Sequence, residues 1–206
     1  MLKIWGRKNS INVQKVLWCC GELGLAFKRI DAGMEFGVND TPEYRAMNPN
    51  GLVPTINDDG FVIWESHAIV RYLSRKHGQG TLWPDDPHRC ADADRWMEWY
   101  STTLWPVMRP VFWNLVRLAP EKRNITEVEE NRRKLAANFS MVDAHLAGNA
   151  YMAGNAFSMG DIPIGVTAFR WFNLPIERPA LGNLDAWYKR ICERPAFRQH
   201  CMATLT

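Results

Sequence analysis

Three short stretches carry residue types suited to chemistry. The turn 6-GRKNSIN-12 precedes an apolar helix pattern and offers Arg7, Ser10 and Asn12. A helix N-terminus presents unpaired N–H groups and the positive end of a dipole, which suits an anion. A hydroxyl, an amide or a guanidinium placed there could hold a thiolate, whose parent thiol has an ordinary pKa of about 8.5. Ser10 donates best by its hydroxyl, Asn12 by its amide, and Arg7 adds charge. Ser10 or Asn12 could instead do no more than cap the helix. In 48-NPNGLVP-54, Pro54 stands where a strand should begin, yet proline cannot donate to a sheet ladder. A cis Val53–Pro54 bond is expected, with the Val53 N–H and C=O turned outward. A peptide-like ligand could pair with Val53 as a short added strand. Glu65 and Ser66 open the next helix. The Ser66 N–H and hydroxyl suit a carboxylate and Glu65 suits an ammonium, so the pair could grip an amino-acid head group. Ser66 as a simple helix cap is the alternative.

The elements that must position these residues follow from periodicity. Strands are expected over 2–5, 27–30, 53–56 and 61–64, with 57-NDDG-60 as a hairpin turn. Apolar residues at three- and four-residue spacing predict helices over 12–23 and 66–77, with a short one over 42–47. Beyond the turn-rich 78-GQGTLWPDDPHR-89 the pattern is helical throughout, at about 88–118, 126–148, 161–173, 183–193 and 196–203. Pro106 and Pro110 should kink or interrupt the first of these, because each removes a backbone donor.

Composition excludes several function classes. Apolar residues make up 47% and charged residues 23% of 206, ordinary for a packed protein. A net charge of +3 with no basic stripe gives no nucleic-acid footprint. No stretch approaches the ~20 apolar residues of a membrane span, and the N-terminus lacks a signal-peptide pattern. Five cysteines without metal-ligand spacing predict reduced thiols in a cytoplasm and no metal site.

The motifs 5-WGRKNSINVQKV-16, 48-NPNGLVP-54, 64-WESHAIVRYL-73 and 158-SMGDIPI-164, in this order, resemble those of the cytosolic glutathione S-transferases, over nearly the whole chain. The resemblance is to a bacterial branch with a serine-type site. It implies an α/β thioredoxin-like N-terminal domain (1–80) that binds glutathione, followed by an all-α C-terminal domain (88–206) that receives the second substrate. It implies that Val53, beside cis-Pro54, pairs with the cysteinyl backbone, and that Glu65 and Ser66 take the γ-glutamyl head. Ser10 matches the serine that some classes use for the thiolate. In 158-SMGD-161 the family has a helix-capping box, in which Asp161 serves the fold and not the chemistry, as a serine with an acidic partner three residues on would do. Departures bear on the class. Trp5 stands where tyrosine-type classes have their tyrosine, and no cysteine stands at the first helix terminus. Cys19 and Cys20 lie roughly 13 Å further along the helix and read as packing.

The resulting expectation is an enzyme that activates the glutathione thiol for attack on a small electrophile, as in detoxification. No metal, nucleic acid or membrane is involved, and the resemblance implies a homodimer. Trp99, Thr103, Met108 and Phe112 are expected as partial lining of the electrophile cleft, with helical core packing as their alternative. Arg109 and Arg117 are solvated by default, but one could receive an acidic substrate. Rival readings are a glutathione-dependent isomerase or dehalogenase, and a non-catalytic binder of hydrophobic ligands.

Overall fold

The computed structural model describes residues 1–206. Strand β1 (Leu2–Trp5) is followed by α1 (Ile11–Glu22), β2 (Phe27–Ile30), α2 (Pro42–Met47), β3 (Thr55–Asp58), β4 (Phe61–Trp64) and α3 (Ser66–His77). The sheet order is β2-β1-β3-β4, with β1 parallel to β2 and antiparallel to β3. This is the thioredoxin-like arrangement expected, with α1 packed against α3. The third strand begins two residues later than its apolar run suggests. Pro54 has no N–H to give, so pairing with β1 starts at Thr55. The hairpin is correspondingly tighter. Asp58 pairs with Phe61, and Asp59 and Gly60 (φ 49° and 102°) form the loop, the left-handed pair that two-residue hairpins favour.

The rest is helical: α4 (Pro87–Trp99), α5 (Trp105–Phe112), α6 (Ile125–Leu146), α7 (Asp161–Asn173), α8 (Gly182–Glu193) and α9 (Pro195–His200). The expected long helix over 88–118 stays helical over 87–117 but is widened by two π-helical turns, at Tyr100–Leu104 and Trp113–Arg117. Pro106 sits in the first turn of α5, where a missing donor costs least, and Pro110 lies inside that helix. No helix is long and apolar enough to cross a membrane.

One hydrophobic core of 44 buried residues runs through both halves, and α1 is its shared member. One side of α1 meets α3 and the others meet α7 and α9. Trp18, fully buried, packs at tilted angles against Phe157 and Phe197, with ring centroids 5.3 Å and 4.6 Å away. A methyl group at Gly165 would stand 2.7 Å from the Trp18 ring, so only glycine permits this approach of α7 to α1. Cys19 and Cys20 are fully buried, and burial pushes the Cys19 thiol up to about 12. Neither can supply a thiolate at neutral pH.

Candidate active site

The C-terminal end of β1, the loop before β3 and the N-termini of α1 and α3 meet α5 across a cleft of about 460 Å³. Arg7, Ser10, Asn12, Val53, Pro54, Glu65 and Ser66 all line it.

Ser10 is the N-cap residue of α1, and its carbonyl accepts from Gln14 N–H at 2.9 Å. Its hydroxyl makes no capping bond, so the side chain is not used by the helix it introduces. It is 7% exposed and on the cleft, so its proton is available to a ligand atom. Asn12 is two residues further, in the first turn of α1. Its Oδ1 accepts from Lys15 Nζ at 3.0 Å, which leaves its NH2 as the free donor. Arg7 carries a buried Nε without a partner. Burial lowers its pKa, as does the nearby charge of Arg117, while Glu35 opposes both.

The Val53–Pro54 bond is cis. Val53 lies outside the strands, and neither its N–H nor its C=O bonds to another backbone group. The loop is held from behind by a buried network. Tyr44 donates its hydroxyl to Leu52 O at 2.7 Å, and Asn48 Nδ2 donates to the same oxygen at 2.9 Å and to Thr55 Oγ1 at 3.0 Å. Asn48 in turn accepts the Asn50 N–H at 3.1 Å. The asparagines of 48-NPN-50 thus fix the loop that carries Val53, whose own backbone groups stay unpaired at the cleft lining.

At the head of α3 the cap position belongs to Glu65, not to Ser66. Glu65 has φ 70°, its side chain makes no capping bond, and Ser66 is the first helical residue. A left-handed non-glycine residue is uncommon and costs of order 1 kcal/mol, a form of strain that gathers at ligand sites. Ser66 Oγ lies 3.5 Å from both Lys15 Nζ and Asn12 Oδ1. The expected capping box of 158-SMGD-161 is only half met: α7 begins at Asp161 with Gly160 at its cap position, and the Ser158 hydroxyl accepts from Gly160 N–H at 3.3 Å instead of from a third-position amide. Asp161 accepts from Ser158 N–H (3.0 Å), Ser158 Oγ (3.3 Å), Met152 N–H (2.9 Å) and Trp187 Nε1 (2.9 Å), and none of these residues lines the cleft.

The helical wall differs from expectation. Phe112 lines the cleft, but Trp99, Thr103 and Met108 do not, and Met108 is fully buried in the core. Trp99 packs edge-on against Trp96 at 5.2 Å, and the Thr103 carbonyl accepts from Asn138. The stripe that does face the cleft is Trp105, Arg109, Phe112 and Trp113, joined by Arg117 and Arg170. A widened turn holds one extra residue, which rotates all that follows by about 100°. The π-helical turn at Tyr100–Leu104 therefore presents a different face of α5 from the one a continuous helix would.

Sequence reasoning also missed Arg170 and Lys15. Arg170 is 2% exposed, bonded to Val166 O at 3.0 Å and Gln14 Oε1 at 3.1 Å, and 5.1 Å from the Phe112 ring centre. Burial lowers its pKa to about 10, so it stays charged at neutral pH. The available signal was a single cation inside each of two apolar runs, 162-IPIGVTAFRWF-172 and 13-VQKVLWCC-20. None of Arg7, Arg109, Arg117, Arg170 or Lys15 takes part in an ion pair. These cations are therefore not neutralised by contact, and only the more distant charges of Glu35 on Arg7 and Glu65 on Lys15 oppose them.

Family models for the glutathione S-transferase N-terminal and C-terminal domains match residues 9–76 and 101–195. The glutathione S-transferase GstB of Escherichia coli (strain K12) is 42% identical over 204 residues, 98% of either chain. Glutathione S-transferase 3 of Zea mays is 32% identical, covering 96% of this chain and 92% of its own. The crystal structure of a theta class glutathione S-transferase from Xanthomonas axonopodis pv. citri, with glutathione bound, matches with a TM-score of 0.96 at 45% identity. It covers 100% of this chain and 99% of that one. A free hydroxyl at a helix N-terminus, an unpaired backbone at Val53 and a paired acid and hydroxyl at Glu65–Ser66 thus occur in a chain that belongs to the glutathione S-transferase family.

Proposed function

We propose that this protein is a glutathione S-transferase with a serine-type site, which activates the glutathione thiol for attack on a small electrophile. The observation that carries the reading is the uncapped Ser10 hydroxyl sharing one cleft with Val53, Glu65 and Ser66. Residues 1–80 form the glutathione-binding domain in this reading, and 88–206 supply the wall for the electrophile. Val53 pairs with the cysteinyl backbone beside Pro54, which places the sulfur toward the α1 N-terminus. Ser66 and the first α3 amides take the γ-glutamyl carboxylate, and Glu65 takes its ammonium. Ser10 donates to the sulfur, and the α1 dipole and Arg7 add positive potential, all of which favour thiolate over thiol. Asn12 offers the second donor. The thiolate then forms the S–C bond while the leaving group, or the far end of an activated double bond, takes the electron pair. We assign the protein to a bacterial branch of the family and to a symmetric homodimer working in the cytoplasm in detoxification, its mass in solution being the check on the assembly.

The electrophile wall carries three guanidiniums, of which Arg117 and Arg170 flank the Phe112 ring at 5.9 Å and 5.1 Å. This favours an electrophile bearing a carboxylate, since a thiolate repels a second anion unless cations stand between them. Conjugation assays with a charge-matched pair, iodoacetate and iodoacetamide, test both claims. Glutathione-dependent turnover of either supports the transferase. A preference for the acid that falls about tenfold in Arg117→Ala supports the cationic wall. Tight glutathione binding without turnover of any electrophile in a broad panel would leave the non-catalytic binder.

A further inference from the structure

Lys15 stands behind the cleft, on the face of α1 turned to α3. It is 2% exposed, and its Nζ lies 3.0 Å from Asn12 Oδ1, 3.0 Å from His67 Nε2 and 3.5 Å from Ser66 Oγ. The direction of these bonds can be worked out. An ammonium at Lys15 can only donate, so the His67 ring proton sits on Nδ1 and is given to Ser101 Oγ at 3.0 Å, while the Ser101 hydroxyl turns to Met97 O at 3.3 Å. His67 Nε2 is then bare and accepts from Lys15. Burial drives the His67 pKa down to about 2, with the Lys15 charge adding to the effect, so the ring remains a neutral acceptor. The three N–H bonds of an ammonium thus meet three neutral acceptors, and the Tyr100 ring lies 4.2 Å from the nitrogen. Every hydrogen bond is satisfied and the charge is not. Burial, followed by the charge of Arg170, pulls the Lys15 pKa well below its ordinary value, and only the charge of Glu65 works the other way.

We infer that Lys15 supplies the buried positive charge against which the γ-glutamyl carboxylate of glutathione is held at Ser66. The inference rests on the reading of this cleft as a glutathione site. Ser66 accepts from Lys15, which leaves the Ser66 proton for Asn12 Oδ1 or for a ligand. A carboxylate oxygen taking that proton comes within the ~4–6 Å over which an opposite charge acts strongly. Lys15 touches no ligand atom itself. It is a positioning residue that works through Ser66 and through its field.

The test is a double-mutant cycle in which the second mutation is made in the ligand. Isothermal titration compares wild type with Lys15→Met, using glutathione and γ-aminobutyryl-cysteinyl-glycine, which lacks only the carboxylate in question. Lys15→Met should weaken glutathione by about tenfold to a hundredfold and the truncated tripeptide by less than about twofold. Equal losses for both ligands, or no loss for either, would overturn the inference while wild-type binding of glutathione still upholds the site. A wild type that binds neither ligand overturns the site and the inference together. Lys15→Gln, which keeps hydrogen bonding without charge, serves if the methionine variant does not fold, with the same outcomes expected.

Discussion

The thiol-activating group is one hydroxyl. Ser10 donates to a thiolate better than to a thiol, so Ser10→Ala should raise the pKa of bound glutathione. A charge-assisted bond of ~1.5–3 kcal/mol corresponds to about one to two pKa units. Turnover should fall most at neutral pH, and the deficit should shrink as rising pH forms the thiolate unaided. Affinity for glutathione should change less than turnover, because Val53, Glu65 and Ser66 keep the peptide. Ultraviolet absorbance of the thiolate, titrated against pH in both proteins, reads the shift directly. Superimposable curves would hand the role to Asn12 or Arg7. No cap is lost in this substitution, since the Ser10 side chain does not cap α1, so stability is not expected to confound the result.

At the scale of elements, most boundaries were legible because they depend on local rules. Periodicity gives α1, α3 and α7, and Gly and Pro mark the ends of the connections. The start of β3 was misread because apolar residues continue through Pro54, and a pairing rule overrides an apolar run. The electrophile wall was misread for a related reason. Residues 96–118 have a continuous helical pattern, but which of them face the cleft depends on the phase carried through the widened turn. Lys15 and Arg170 were invisible as site residues because their partners, His67 and Gln14, come from distant segments. Ser10, Val53, Glu65 and Ser66 could be placed together only through the order of their motifs. The start of α7 offers a test of a purely structural acid. Burial pushes the Asp161 pKa up to about 6, so near neutral pH four donors hold a carboxylate. Asp161→Ala should cost about 3 kcal/mol, because it leaves those donors unpaired. For a chain of this size that lowers Tm by roughly 6–12 °C. Conjugation by the folded fraction should be unchanged when assayed well below the transition. A variant of normal Tm with lost turnover would move Asp161 into the chemistry.

For the whole molecule, α1 decides how the halves behave. Its N-terminus serves the cleft, and Trp18 on its flank is enclosed by Phe157, Gly165 and Phe197 of the helical half. Glu22 adds an ion pair to Arg194 at 2.6 Å. A shared core predicts one cooperative transition, with far-ultraviolet circular dichroism and tryptophan fluorescence melting together. Gly165→Ala drives a methyl group into the Trp18 ring and should cost about 1–3 kcal/mol. Tm should drop by roughly 2–4 °C for each of those kcal/mol, still in one step. Two separated transitions would show that the halves melt independently. The same contact governs inheritance. A recombination event that joins the first 80 residues of one relative to the remainder of another also exchanges the partners of Trp18. Such a hybrid keeps this packing only when a broad indole from one parent meets a residue without a side chain from the other. Positions 18 and 165 are therefore expected to change hands as a pair, although they stand 147 positions apart in the chain (165 − 18).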